Sequence, residues 1–342
     1  YVAKTKADYV QKREQHANRR GREALLPLAQ VRANRPALDW SAYTPPKPSF
    51  LGIRAFDDYP LPELVERIDW TPFFHAWELR GTYPRILSDA RSGEQARKLH
   101  EDALAMLGRA EAEGWFDPTG VMGIFPANAI GDDIVVWSDP QGAERVAVFH
   151  TLRQQQAHLT TCAALSDWVR AEGQGVDWVG MFAVTAGKGL DAVVARFERD
   201  HDDYHAILAK ALADRLAEAF AEHLHRRVRT DLWGYAPDED LSLEDLIKER
   251  YEGIRPAPGY PAQPDHTEKR TLWRLLDVEA RTGIHLTESC AMWPAASVSG
   301  LYLAHPEARY FGIGPIGADQ RADYAARKGW SEDEGGRWLG SI

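Results

Sequence analysis

Short apolar segments separated by tight turns, near the middle of the chain, set the strongest limit on the fold. The segments are VMGIFPA, IVVWSD and RVAVFH, and the turns between them contain Gly131-Asp132-Asp133 and Pro140-Gln141-Gly142. Gly, Asp and Pro favour turns, and strands joined by such short connections pair as antiparallel neighbours. A further apolar segment, WVGMFAV, follows at residues 178–184. We therefore expect an antiparallel or mixed sheet.

Helical patterns cluster on both sides of these strands. Thr71-Pro72 is a typical N-cap and first helical position, and it predicts a helix through FFHAWEL to Gly81. Glycines bound an amphipathic helix at residues 93–114, and apolar periodicity predicts one long helix over residues 190–228. Because strands and helices do not alternate strictly, the sequence predicts an α+β fold. We expect a single large domain with a twisted antiparallel/mixed sheet, long flanking helices and an irregular N-terminal arm.

The two ends of the chain give further expectations. Residues 1–24 form a charged pattern with few apolar positions, which predicts a helical connector or arm, and residues 25–342 are then the main domain. The first residue is not Met, which suggests a piece of a longer polypeptide. Towards the C-terminus the sequence predicts a helix at TLWRLLDVEA, strands at SVSGLYLA and ARYFGIG, and helices at DQRADYAARK and DEGGRWL.

Composition excludes several classes of protein. The chain has 342 residues, 44% of them hydrophobic and 27% charged, as in ordinary soluble globular proteins. A net charge of −10 argues against a nucleic-acid or membrane-surface protein. Cys162 and Cys290 are far apart and match no disulfide framework or zinc motif, so we expect a reducing, cytoplasmic location. No segment approaches the roughly 20 apolar residues that span a membrane.

Two motifs resemble ligand sites, but each lacks a residue or element that such a site requires. Gly312, Gly314 and Gly317 match G-x-G-x-x-G, yet the chain ends before the second strand and acidic residue of a dinucleotide fold, so we interpret them as a strand-exit turn. His201 and His205 have metal-chelating spacing without a third ligand nearby, and we interpret them as a hydrated helix face. Ser289, Cys290 and Ser297 have no adjacent base arrangement, which argues against a nucleophilic hydrolase. The sequence therefore predicts neither a metal site nor a catalytic nucleophile.

The segment IRPAPGYPAQPDHTE, residues 254–268, is the most unusual in the chain. Each proline fixes φ and disfavours helix in the residue before it, so the segment is predicted to be a stiff, extended loop. Arg255, Gly259 and Tyr260 within it suit a loop that grips a ligand. Taken alone, the same composition also fits a proline-rich surface linker, and both interpretations stay open at this point.

Several long motifs, taken together, resemble one family. IDWTPFF, GTYPRIL, KALADRLAEAF, RPAPGYP with PDHTEK, and LTES with MWP and SVSG are similar to the C-terminal activation domain of cobalamin-dependent methionine synthase. The resemblance covers nearly the whole chain. It implies a part of a methyltransferase, 5-methyltetrahydrofolate-homocysteine methyltransferase, that binds S-adenosylmethionine and helps to remethylate cobalamin after its oxidation. The cobalamin would be bound by a neighbouring domain of the same polypeptide, and zinc only by the homocysteine domain of the full enzyme.

The resemblance also implies the residues that contact S-adenosylmethionine, namely Asp69, Arg255, Gly259, Tyr260, Tyr310 and Phe311. The ligand carries a carboxylate, an ammonium group, a sulfonium and an adenine. Arg255 is suited to the carboxylate because guanidinium binds it through two hydrogen bonds. Asp69 would accept from the ammonium group. Gly259 would let the loop approach the ligand, and Tyr260 would either contact the nucleoside or shape the pocket over the cobalamin.

A second set of residues lies in family-matched segments near this site. Glu218 and Glu249 are further candidates for ligand contact, although Glu218 equally fits surface electrostatics with Arg215. Asp214 and His266 are candidates for contact with the cobalamin domain or with its displaced histidine ligand. A structural capping role for His266 remains an alternative.

The implied reaction is reductive and needs an electron donor. The resemblance implies flavodoxin or a flavoprotein reductase. The basic run Arg226, Arg227 and Arg229 and the basic N-terminal arm are candidate docking sites for such an acidic protein, although a charge run also fits a solvated face. No general acid or base is expected, because the task is to position a methyl group. The isolated chain is expected to be inactive without the cobalamin domain. The alternative is a docking or sensor module that binds S-adenosylmethionine and has no turnover.

Overall fold

The computed structural model describes residues 24–340 and has an α+β architecture, which confirms the predicted class. A six-stranded antiparallel sheet lies at its centre, and a two-stranded sheet lies outside it. The strands, in chain order, are β1 (Gly52–Phe56), β2 (Thr119–Ile130), β3 (Asp133–Trp137), β4 (Arg145–His150), β5 (Asp177–Thr185), β6 (His285–Leu286), β7 (Met292–Trp293) and β8 (Ser297–Tyr302).

The central sheet has the order β4-β3-β2-β5-β8, with β1 alongside β2. Strand β2 is 12 residues long, so β1 and β3 pair with different parts of one of its edges while β5 pairs with the other. The strands expected from the apolar segments are present and antiparallel, as the tight turns require. Strand β8 pairs only with β5 within the sheet, and the proline-rich loop runs along its other edge.

Helices cover both faces of the sheet. In chain order they are α1 (Leu28–Ala33), α2 (Leu61–Val65), α3 (Trp70–Ala76), α4 (Gly93–Glu113), α5 (Leu190–Arg199), α6 (Asp203–Arg227), α7 (Leu243–Ile247), α8 (Glu268–Leu276), α9 (Val278–Thr282), α10 (Ala318–Lys328) and α11 (Glu332–Leu339). Helix α4 agrees with its predicted bounds, and Gly114 ends it in the left-handed conformation. The two C-terminal helices also lie where they were predicted. None of the helices within residues 24–340 is long and apolar enough to cross a membrane.

The core consists of two main layers that strand β5 separates. Every residue of β5 is buried. Its side chains alternate between layers: Phe182 and Val184 pack with α4 and α6, whereas Met181 and Ala183 pack with α8 and α9 on the opposite face. A strand buried on both faces is continuously apolar, which is the pattern that WVGMFAV shows.

The prediction of one long helix over residues 190–228 is wrong, since this region forms two helices, α5 and α6. His201 has φ 56°, which is not a helical conformation, and the helix is broken there between α5 and α6. Asp202 then caps α6, and its side chain accepts a hydrogen bond from the amide of His205 at 3.1 Å. Apolar periodicity continues across the break because both helices cover the same layer. The polar residues at 200–203 mark the new helix start.

Two other helix predictions need correction. Helix α3 is capped by Asp69, not Thr71: Asp69 Oδ1 accepts from the Thr71 amide at 2.9 Å, and the helix ends at Ala76 rather than Gly81. The predicted helix at TLWRLLDVEA is divided into α8 and α9, because Asp277 adopts a left-handed conformation with φ 52°.

The segment ARYFGIG is not a strand, so the glycine motif is not a strand-exit turn. Side chains that follow β4 hold this segment: Gln154 Nε2 donates to the Gly312 carbonyl at 2.9 Å, and Gln156 Nε2 donates to that of Ile313 at 2.8 Å. Gly314 has φ +64°, and a Cβ there would lie 2.6 Å from Gln156 Nε2. The glycine therefore makes room for the glutamine. The predicted connector helix, apart from Ala24, lies outside the described residues.

Candidate functional site

A cavity of about 470 Å³ opens beside β8, on the edge that faces the proline-rich loop and does not pair with β5. The proline-rich loop forms one wall, because the Leu301 amide donates to the Pro256 carbonyl at 2.8 Å and Ile254 bridges to Leu303. This volume suits a small organic ligand, and the mixture of apolar and charged walls is typical of such sites. The cavity is lined by Phe182, Glu218, Glu249, Arg255, Pro256, Ala257, Tyr260, Pro261, Ala262, Val298, Ser299, Tyr310 and Phe311.

The fold brings together residues that are far apart in sequence. Glu218 comes from α6, Arg255 and Tyr260 from the loop, and Tyr310 and Phe311 from the segment held by the glutamines. Tyr260 is 59% exposed and lies at the rim. Glu249 also lines the cavity. These predicted site residues therefore share one cavity, although their contact with a ligand stays a prediction.

A smaller cavity of about 250 Å³ adjoins the first around Arg255. Both cavities are lined by Glu218, Glu249 and Arg255, and the smaller one also contains Asp69. One oxygen of Asp69 caps helix α3, and its second oxygen accepts no hydrogen bond from the described residues. Glu249 has φ 55°, and such backbone strain is common at functional sites. The two cavities together provide room for an extended ligand with charged groups at one end.

Arg255 is anchored through one nitrogen of its guanidinium. Its Nη1 lies 2.7 Å from Glu222 Oε2 and also donates to His225 Nδ1 at 3.2 Å and to the Tyr251 hydroxyl at 3.3 Å. Among the described residues, neither Nε nor Nη2 has a hydrogen-bond partner. Burial by itself would lower the pKa of Arg255, but the Glu222 carboxylate together with Tyr251 and Tyr310 outweighs it, so the pKa is raised. The free edge of a fixed guanidinium is suited to a carboxylate.

His225 helps to fix the orientation of the Arg255 guanidinium. It is fully buried, and burial together with Arg229 and Arg255 holds its pKa well below the usual value. The neutral ring can therefore accept at Nδ1 from Arg255. It also stacks on Tyr302, with ring centroids 5.2 Å apart. This role of His225 could not be identified from the sequence.

Tyr310 joins the two walls of the cavity. Its hydroxyl accepts a hydrogen bond from the Arg255 amide at 2.9 Å and lies 3.0 Å from the Tyr251 hydroxyl. The segment that contains Tyr310 and Phe311 is thus fixed to the loop that contains Arg255. Phe311 packs against the core beneath the cavity. These side chains are therefore held by contacts within the protein.

Two polar residues at the cavities were not identified from the sequence. Ser299, on β8, is 2% exposed, and its hydroxyl has no partner among the described residues. Glu222 lines the smaller cavity, and its Oε1 is likewise buried without a hydrogen bond. The spacing of Glu222 from Glu218 on α6 was the available signal, because residues four apart share a helix face.

Some predicted residues lie away from the cavity lining. A Cβ on Gly259 would lie 2.4 Å from Cε1 of His266, so the glycine admits the imidazole of that residue. His266 is exposed and its Nδ1 lies 3.0 Å from Lys269 Nζ. Asp214 is exposed on α6 and pairs with Arg215 at 2.5 Å. Contacts of Asp214 and His266 with another domain stay predictions.

The predicted basic docking run is not a continuous surface. Arg229 is fully buried and forms two hydrogen bonds with Glu239, at 2.6 and 2.9 Å. Arg227 is partly exposed but is bonded to Tyr59 and Asp231. The run therefore offers at most a small basic patch to an acidic partner.

Comparisons with known proteins agree with this geometry. A family model described as "Vitamin B12 dependent methionine synthase, activation domain" matches residues 60–329. Among solved structures, the chain is similar to one described as "Crystal Structure of the MetH Reactivation Domain bound to AdoHcy", where AdoHcy is S-adenosylhomocysteine. The sequence identity is 51% and the TM-score is 0.90, over 92% of this chain and 98% of that chain.

Proposed function

Because the chain belongs to the family of activation domains of vitamin B12-dependent methionine synthase, a multidomain methyltransferase with a cobalamin domain, we propose that it binds S-adenosylmethionine in the cavities around Arg255. Its role would be to position the methyl group of this ligand for reductive remethylation of cob(II)alamin held by the adjacent cobalamin domain. The relative crystallised with S-adenosylhomocysteine supports the ligand class, since the two molecules differ only in the methyl group and its charge.

The free edge of Arg255 is the observation that carries the proposal. With Nη1 held by Glu222, the ligand carboxylate would bind Nε and Nη2 side by side. The guanidinium is already oriented by His225 and Tyr251, so little side-chain freedom would be lost on binding.

The remaining groups of the ligand find complementary partners. Its ammonium group would lie among Asp69, Glu218 and Glu249 around the smaller cavity. Burial raises the pKa of Glu218, and Arg215 and Arg255 oppose that effect. The nucleoside would lie in the larger cavity, against apolar walls that include Phe182, and the unpaired hydroxyl of Ser299 would receive a hydrogen bond there.

The role of this chain in the reaction would be to position the methyl group of S-adenosylmethionine. The reduced cobalamin of the neighbouring domain would supply the nucleophile that takes the methyl group. The residues around Arg255 would fix both ends of the ligand so that the sulfonium methyl points out of the cavity, past Tyr260 at its rim. Holding a reactant in line for attack requires no proton transfer, which is consistent with a site built from charged anchors and apolar walls.

The domain arrangement and partners follow from the same proposal. Residues 1–24 would connect to the cobalamin domain, and residues 25–342 would form the activation domain. The partners would be that cobalamin domain and, as electron donor, flavodoxin or a flavoprotein reductase. The alternative function is a docking or sensor module that binds S-adenosylmethionine without turnover.

Two titrations distinguish these functions. The purified chain is first titrated with S-adenosylmethionine by calorimetry, and saturable binding at a single site is expected. The cobalamin domain and a one-electron reductant are then added, and the cobalt absorption spectrum is followed. Formation of methylcobalamin that depends on this chain supports reactivation. Binding without any spectral change would leave only the sensor function, and absence of binding would refute both.

A further inference from the structure

The carboxylate of Glu222 is only partly used by the protein. Its Oε2 pairs with Arg255 Nη1 at 2.7 Å, whereas Oε1 is buried and has no hydrogen bond from the described residues. The nearest cation beyond Arg255 is Arg229, whose Nη2 lies 3.8 Å from Oε1. Arg229 is already bonded twice by Glu239, so Glu222 is not needed to neutralise it. The Glu222 carboxylate thus forms a close ion pair with Arg255 at the wall of the smaller cavity, and its second oxygen forms no hydrogen bond with the described residues.

The charges around the two cavities are unequal. Their lining contains the carboxylates Asp69, Glu218, Glu222 and Glu249 and the guanidinium groups Arg67, Arg215 and Arg255. Arg215 is offset by Asp214 outside the lining, and Arg255 is offset by Glu222. An amino-acid zwitterion needs one cation and one anion from a site. The surplus of acid favours a ligand that carries one positive charge more than a zwitterion.

We propose that Glu222 determines specificity, making the site prefer the cationic sulfonium of S-adenosylmethionine over the uncharged thioether of S-adenosylhomocysteine. This inference rests on the proposed function, because it concerns the same ligand site. A methyl donor has to enter this site and its demethylated product has to leave it. The two molecules share their carboxylate, ammonium and nucleoside groups, so only the sulfonium charge distinguishes them electrostatically. A fixed carboxylate in the wall of the same cavity acts on that charge, and the Glu222 side chain is only 13% exposed, so water screens the interaction less than at the surface.

Removing the charge of Glu222 has opposite effects on the two ligands. In Glu222→Gln, Arg255 loses its counter-ion and becomes a net positive centre beside the ligand. The sulfonium compound is then bound less tightly, whereas the thioether keeps or gains affinity through its carboxylate. We expect the ratio of the two affinities to fall by about fivefold or more. Glu222→Asp, which keeps the charge, should preserve most of the preference.

The experiment is calorimetric titration of the purified chain with both ligands, for the natural sequence, the two variants and the control Asp203→Asn. Asp203 is exposed in the first turn of the same helix, far along the chain from Glu222, and its change removes the same charge. The control ratio should equal that of the natural sequence. An equal loss of affinity for both ligands in Glu222→Gln would overturn the inference and leave the proposed function intact. Failure of the natural chain to bind either ligand would refute the proposed function itself.

A measurement without any variant covers the case in which Glu222→Gln does not fold. Sinefungin has an amine-bearing carbon, cationic at neutral pH, in place of the sulfonium. The natural chain should bind S-adenosylmethionine and sinefungin more tightly than S-adenosylhomocysteine, and added salt should reduce that difference. Equal affinity for cationic and neutral ligands would refute the inference.

Discussion

Gly259 and His266 are in direct contact across the binding loop: a methyl group at residue 259 would lie 2.4 Å from Cε1 of the imidazole. Gly259 also has φ +98°, and its amide donates to the Gln263 carbonyl at 2.7 Å. The loop is thus closed on itself around His266. Its shape depends on the absence of a side chain at residue 259.

Gly259→Ala should therefore deform the loop and weaken ligand binding. The variant combines the strain of a positive φ, about 1–2 kcal/mol, with an overlap that costs about 1–3 kcal/mol. Gly283→Ala is the matched control, because Gly283 has φ +76° and open space around its Cβ. Urea unfolding should show a larger loss of stability for Gly259→Ala, and adding His266→Ala should restore part of it. Equal losses in the two glycine variants would show that the imidazole contact is unimportant.

Arg255→Lys should weaken binding of S-adenosylmethionine at least tenfold. Lysine keeps a positive charge for Glu222 but cannot offer two parallel donors to a carboxylate, and a charge-assisted hydrogen bond contributes on the order of 1.5–3 kcal/mol. Arg250→Lys is the control, since Arg250 is exposed and, within residues 24–340, its side chain pairs with Asp245 alone. Calorimetric titration that gives the same affinity for Arg255→Lys and the natural chain would contradict the assignment. Arg255→Ala is a poorer test, because it leaves Glu222 buried without its cation.

Arg153 should be essential for stability rather than for binding. It is 1% exposed and bonded to Asp132 at 2.7 Å and Asp167 at 2.7 Å. Replacing it by methionine leaves the Asp167 carboxylate without its cation and Asp132 paired with Arg32 alone, and breaking such a buried pair costs about 3–5 kcal/mol. Arg109→Met is the control, because its pair with Glu113 is exposed. The free energy of unfolding in urea should fall strongly in the first variant and by less than about 1 kcal/mol in the second.

The free energy of unfolding should decrease as the pH rises, because of the buried carboxyl group of Asp177. Burial raises the pKa of this carboxyl to about 7, although the amides of Arg170 and Trp178 donate to it. Its pKa in the unfolded chain is near the ordinary aspartate value of 3.8, so the folded protein binds more protons than the unfolded chain between these two pH values. Stability from this group is complete below pH 4 and is lost as the pH rises through 7, by up to about 4 kcal/mol.

The variant Asp177→Asn isolates this effect. The amide cannot titrate, and it places a donor against one of the two backbone amides, so this variant is less stable than the natural chain at pH 4. Its disadvantage should shrink as the pH rises from 4 to 7, as measured by urea unfolding at several pH values. A difference between the two proteins that does not change with pH would show that Asp177 is ionised throughout.

The sheet was predictable because its signals are local. The turns at residues 131–133 and 140–142 join neighbouring strands, and a strand buried on both faces has to be continuously apolar. The break between α5 and α6 was missed because apolar spacing continues through it, and the cap at Asp202 is a weaker signal than periodicity. The segment after Tyr310 was mistaken for a strand because its carbonyls at Gly312 and Ile313 are bonded by glutamine side chains more than 150 positions earlier, and not by a neighbouring strand.

Several residues of the candidate site could be proposed from sequence motifs, but their arrangement in space could not. Arg255 and Tyr260 were identified because prolines fix the loop around them. Glu222 and Ser299 were missed, since their significance lies in unpaired atoms and in neighbours from other elements. Sequence spacing can place two acids on one helix face, but it cannot show which of their oxygens remains free.

The hydroxyl of Tyr310 is the junction between two chain segments that form the site, since it meets both the Arg255 amide and the Tyr251 hydroxyl. This has a practical consequence for protein engineering. The proline-rich loop cannot be transplanted alone into another scaffold with its geometry preserved, because part of what fixes it belongs to the C-terminal segment and, through the glutamines, to the end of β4. A working graft would have to carry all of these pieces at their native separation.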